Sequence, residues 1–231
     1  MRGADIAELL ALAAIWGASF LFMRWGAPEF GALTLAFLRV GLAALALLPL
    51  LAWHQGRPSL ALLHTHWRAL LGLSLITSAL PFALFAYAAL HLPAGLSSIL
   101  NATVPMWSAL VAWVWLAQAP TRWRSAGLLI GFGGVVLLVW AKTGLTGDAR
   151  FWAVLACLLA TLNYAISAVA TRRWLGDAPP LVVATGSQIG ASVWLLLPGL
   201  WAWPAAAPSA AAWPPWRSCA RGWPTSSTSA C

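Results

Sequence analysis

The chain has 231 residues, 61% of them hydrophobic and only 8% charged. Soluble domains carry about 25% charged residues, so a water-soluble enzyme or binding module is excluded and a polytopic membrane protein is expected. The net charge of +8 comes from arginines spread one or two per loop, a pattern that sets membrane orientation and meets anionic headgroups and does not call for a nucleic-acid partner.

A transmembrane helix needs roughly 20 apolar residues. Seven stretches qualify, at about 6–25, 32–53, 68–90, 94–116, 125–141, 151–171 and 180–203. Breakers separate them: Gly26–Pro28, Gln55–Pro58, Leu92–Pro93, Ala119–Thr121, Gly144–Asp148 and Gly176–Pro180. Helices are expected throughout, because lipid cannot satisfy the backbone groups of an open sheet. The first stretch reads as a helix and not a cleaved signal, since Asp5 and Glu8 spoil a basic n-region and six more spans follow. The predicted fold class is an all-α polytopic membrane protein with about seven transmembrane helices. Counting basic residues by loop parity puts Arg2, Arg57, Arg68, Arg122, Arg124, Arg172 and Arg173 on the side of the amino terminus, against Arg24, Lys142 and Arg150. That excess predicts a cytoplasmic amino terminus. Cys157, Cys219 and Cys231 show no metal spacing and imply no disulfide framework.

The sixth and seventh spans repeat the first and second. Trp16, Ser19 and Arg24 fall on Tyr164, Ser167 and Arg172 at an offset of 148. Gly41 and Pro49 fall on Gly190 and Pro198 at 149, which sets Arg39 opposite Gln188. A repeat of five helices is odd-numbered, so its second copy enters from the other side of the membrane, the inverted arrangement of many secondary transporters. The expected organisation is one complete five-helix repeat over 1–142, two helices of an inverted second repeat over 143–203, and a non-helical tail over 204–231.

Several side chains stand out from the apolar background. Arg39 lies some eight residues into its span, where a charge should face protein or water. It either contacts a substrate anion or gate, or snorkels to the outer interface. Pro81 and Pro105 each free the carbonyl four residues back, a device for breaking helices near the midplane. Asn101, one turn before Pro105, meets either substrate or a freed carbonyl, or bonds between helices. Trp16, Ser19, Tyr87, Asn163 and Tyr164 add the aromatic, hydroxyl and amide groups that suit a cavity for small amphipathic molecules; packing or interfacial anchoring is the alternative in so Trp-rich a chain. Gly127-x-x-x-Gly131 reads as a small-residue packing face.

Other chemistries lack their parts. His64-x-His66 has no cysteine or carboxylate partner, so no metal site is expected. The acids Asp5, Glu8, Glu29, Asp148 and Asp177 lie near membrane edges, which leaves no buried carboxylate as a proton relay. A retinal Schiff base needs a lysine within a span, and the single lysine, Lys142, is at an edge. No Gly-x-Ser-x-Gly and no central histidine support an intramembrane hydrolase. The chain is expected not to be an enzyme and to need no cofactor.

Taken together, Trp16-Gly17-Ala18-Ser19-Phe20, Leu35-Ala36-Phe37-Leu38-Arg39 and Leu48-Pro49 resemble the opening of the EamA-type permeases of the drug/metabolite transporter superfamily. Leu80-Pro81-Phe82, Tyr87-Ala88-Ala89-Leu90, Ala94-Gly95 and Asn101-Ala102-Thr103-Val104-Pro105 are similar to that family's third and fourth helices, and Gly127 and Gly134 to its fifth. Gln118 departs from the pattern, since the family usually has Glu there. The resemblance covers about 6–203 and implies ten helices in two inverted halves that export or take up small metabolites.

The tail from Trp213 to Cys231 continues no helical pattern. Reading its codons one frame over permits Ala-Tyr-Ile-Leu-Tyr-Phe-Arg-Leu from Trp223 onward, which looks like the family's eighth helix. A frameshift is therefore expected, with the alternative of a genuine short terminus; the nucleotide sequence beyond codon 200 distinguishes them. The overall expectation is a bacterial inner-membrane transporter that moves a small organic solute by alternating access when intact. This chain alone is expected to be inactive or to depend on a homo-oligomer. A channel or a partner-dependent, non-transporting membrane protein is the alternative.

Overall fold

A computed structural model describes residues 3–143 and 149–203; the tail expectation lies outside the described residues. The elements are α1 (Gly3–Phe30), α2 (Ala32–Thr65), α3 (Trp67–Ser74), a π-helical turn (Leu75–Ala79), α4 (Leu80–His91), α5 (Ala94–Asn101), α6 (Val104–Leu116), α7 (Arg122–Thr143), α8 (Ala149–Leu175) and α9 (Pro180–Ala202). They contain seven helices or helix pairs long and apolar enough to cross a membrane, and the described residues hold no strand. Leu45, Val114, Leu129 and Leu197 are among many large apolar side chains on outward faces. Such a surface suits lipid and would be an aggregation patch in water. The protein is thus an all-α integral membrane protein.

Local chemistry explains the joints. Pro28 does not end α1, because proline removes only its own donor and the last turn still closes through Gly31 N–H to Ala27 O at 2.9 Å. The chain turns at Gly31, whose φ of 75° lies in the left-handed region that favours glycine. Gly56, at φ 68°, breaks α2 in the same way, so the second span ends there and 57–65 leaves at a new angle. Pro81 cannot donate to the carbonyl of Thr77, and the helix before it widens: Leu80 N–H donates to Leu75 O, the five-residue spacing of a π turn. Pro105 sits in the first turn of α6 and splits the fourth span at Ala102–Thr103, where Thr103 Oγ1 donates to Leu100 O at 2.7 Å.

Packing is closest where side chains are small. Helix α9 runs along α2 and α3, and α4 along α8. Ala88, Ala153, Cys157 and Ala160 let α4 and α8 approach, with Phe20, Phe85 and Leu100 filling the space towards α1 and α5. Gly186 and Gly190 face Leu70 and Ser74 of α3, and Gly199 faces Phe37 of α2. The expected packing pair on α7 divides: Gly131 meets the end of Met106, whereas Gly127 has nothing within 4 Å. Helix α7 is the least buried of the spans.

Arg24 ties α1 to α4. Its Nη1 donates to Ala89 O at 2.6 Å and Leu90 O at 3.0 Å, so a cation meets free carbonyls at the negative end of a helix dipole. Arg24→Gln is expected to lower stability by about 1–2 kcal/mol, read by unfolding in detergent micelles. An unchanged midpoint would show that these bonds do not hold the two helices.

Candidate functional site

One cavity of about 700 Å³ lies between α1, α2, the π turn with α4, α5, α8 and α9. Its wall is built from the joints just described. The π turn ahead of Pro81 brings Thr77 and Ser78 to the lining, and the break ahead of Pro105 leaves Asn101 there. Aromatic faces come from Trp16, Phe20, Phe82, Phe85 and Tyr164. Phe85 is edge-on to Phe20 at 5.4 Å and stacked on Tyr164 at 6.1 Å. Helix α9 adds Ser187 and Gln188, whose Nε2 donates to Ser78 Oγ at 3.4 Å. Exposed Arg172 and Gly176, with the neighbouring Ala178 and Pro180, form a mouth at the turn between α8 and α9.

Arg39 is the charged group in the interior of this cavity. It is the eighth residue of α2, roughly 10 Å along the helix at 1.5 Å per residue. Its guanidinium carbon lies 4.4 Å from the centre of the Phe82 ring on α4, and Tyr164 on α8 lines the same cavity. The guanidinium thus points into the bundle and not out to the headgroups. Among the described residues no carboxylate pairs with it. A cation at membrane depth costs at least about 2.5 kcal/mol, and a cation–π contact returns about 0.5–2 kcal/mol. The arginine is left short of partners. Thr77 Oγ1, Asn101 Oδ1 and Gln188 Oε1 also have no hydrogen-bond partner, although buried polar atoms normally have one.

Of the side chains singled out in the sequence, Trp16, Ser19, Arg39, Asn101 and Tyr164 meet at this cavity. Pro81 is buried behind its wall, and Pro105 heads α6 away from the lining. Tyr87 belongs to a separate apolar groove with Leu84, Trp107 and Trp152, its ring 5.0 Å from His91. Asn163 turns back on its own helix, its Nδ2 donating to Leu159 O at 2.8 Å. Sequence reasoning passed over Thr77, Ser78, Phe82, Arg172, Ser187 and Gln188. Two signals were available: Gln188 stands opposite Arg39 in the repeat expected from the sequence, and Thr77 is the residue whose carbonyl Pro81 frees. Trp16 and Tyr164, also opposite each other in that expected repeat, both line the cavity.

The sequence profile of the EamA-like transporter family matches residues 6–140. The chain is similar to "Uncharacterized transporter YvbV" of Bacillus subtilis (strain 168), 30% identical over 112 residues. That stretch is 48% of this chain and 36% of the relative, so the match spans about a third of the relative's length. No solved structure matches. A profile match over more than half of the chain, on a bundle of seven apolar spans, makes the protein a member of the EamA-like transporter family.

Proposed function

We infer that the protein, as a homo-oligomer, carries a small organic solute across the bacterial inner membrane by alternating access, with the cavity around Arg39 as the solute site. The observation that carries this reading is that one cavity is walled by α1 and α2 together with α8 and α9, the spans that the proposed repeat pairs. Trp16 and Arg39 come from α1 and α2 and Tyr164 and Gln188 from α8 and α9; if these are the two copies of an inverted repeat, the cavity lies where such carriers hold their cargo. The organisation into 1–142 and 143–203 belongs to the same proposal. The arginine excess places the amino terminus, and with it the mouth at Arg172, in the cytoplasm. In a rocking mechanism the opposite face of the cavity opens in turn.

Ser19 gives the test. In a chain with Cys157, Cys219 and Cys231 changed to serine, Ser19→Cys is exposed to a membrane-impermeant thiol reagent on either face of right-side-out and inside-out vesicles. Labelling from both faces is expected, at rates within about tenfold of each other, as for two states separated by about 1.4 kcal/mol or less. Labelling from one face alone rejects alternating access.

A further inference from the structure

We propose that the cavity recognises an organic monoanion, a carboxylate carried on an apolar or aromatic body, with Arg39 as the residue that binds the charge. The proposal rests on the cavity being the solute site. Charge comes first. Among the described residues the charged side chains of the lining are Arg39 and Arg172, and neither Asp nor Glu lines it. Asp177 lies on the mouth turn between two lining residues but is not itself part of the wall. A cationic solute would meet two arginines and no counter-charge, whereas a carboxylate supplies the partner that Arg39 lacks.

The guanidinium is also held in place before any solute arrives. Its carbon lies over the Phe82 ring, 4.4 Å from the centre, which keeps the charge in the cavity, and a guanidinium offers a fork of N–H donors that matches a carboxylate. Beside it, Trp16, Phe20 and Phe85 offer apolar surface for the rest of the molecule. The depth of Arg39 matters too: an anion on Arg172 alone would stay at the mouth, while one on Arg39 sits among the helices that would have to move.

The test uses the full chain in nanodiscs of phosphatidylcholine, which removes anionic lipid as a source of the charge. The probes are 3-phenyllactate and 2-hydroxyisocaproate, each against its methyl ester, with binding measured by calorimetry. Either acid is expected to bind at least tenfold more tightly than its ester. Arg39→Gln should abolish that preference and Arg39→Lys should restore part of it. Equal binding of acid and ester, binding of neither acid, or an unchanged preference in a folded Arg39→Gln chain overturns the proposal. If Arg39→Gln does not fold, the acid–ester comparison on the unsubstituted chain still decides. Adding anionic phosphatidylglycerol separates the two sources of charge: a headgroup that occupies the site would compete with the acid, and wild-type affinity with retained acid preference speaks for a soluble solute. Protection of Ser19→Cys from the thiol reagent by 3-phenyllactate locates the site. One-sided labelling with protection by the acid removes alternating access and leaves the anion site standing; two-sided labelling without protection does the reverse.

Discussion

Gly190→Leu is expected to leave little folded protein after extraction into detergent. A side-chain carbon at position 190 would meet Ser74 Oγ, lie 2.8 Å from Ser74 Cβ and 3.4 Å from Leu71 Cα. Those are atoms on or next to backbone, so no rotamer change relieves the overlap. Ser74 cannot turn away freely either, because its hydroxyl donates to Leu71 O at 2.6 Å on the same helix. Helices α3 and α9 would have to separate, and that also breaks the bond from Trp194 Nε1 to Leu71 O at 3.0 Å. Overpacking of this kind costs about 1–3 kcal/mol, occasionally more, and the loss should grow through alanine, valine and leucine. Gly134→Ala is the control, since nothing lies within 4 Å of a side chain there. Monodisperse protein recovered by size exclusion measures the series. Equal yields for Gly190→Leu and Gly134→Ala would mean that α3 and α9 do not pack at Gly190.

The second large effect is expected from Phe85→Ala. Phe85 is 3% exposed, touches Phe20 and Tyr164 ring to ring, and forms part of the cavity wall. In a membrane the unfolded reference already lies in lipid, so the apolar transfer term shrinks and lost dispersion contacts dominate. The expected cost is roughly 2–4 kcal/mol, about 1 kcal/mol below the range for emptying a buried aromatic site in a water-soluble protein. It should appear as a lower unfolding midpoint in detergent. Phe85→Leu should recover more than half of it, because volume matters more than the ring when the loss is one of packing. If alanine and leucine at 85 behave alike, the aromatic contacts carry the stability and the packing account fails.

Much of the architecture was legible because it depends on one-dimensional properties. The sequence predicts the first span over 6–25 and the sixth over 151–171; they run Asp5–Phe30 and Ala149–Leu175. The ends moved outward at Pro28 and Arg172 for one reason: a helix continues past a breaker or a charge as long as its backbone bonds close. The site was legible where a residue was chemically costly. Arg39 had to face something other than lipid, and it does. Tyr87 and Asn163 were less decidable, since an aromatic ring or an amide is tolerated on several faces of a helix.

Length, hydropathy and the position of prolines and glycines therefore determined the membrane class, the seven spans and their breaks, because lipid forces each span to satisfy its own backbone hydrogen bonds. Which face of each helix meets its neighbour was decided only in three dimensions. A rotation of one residue, about 100° on a helix, separates Asn163, bonded back to its own turn, from Tyr164, facing the cavity. The lipid-facing and protein-facing sides of these helices are equally apolar, so hydropathy carries no phase. Close packing at Ala88, Cys157, Gly186 and Gly190 supplies the phase. It sets Phe82 beneath Arg39 and leaves the guanidinium without a counter-charge inside the bundle.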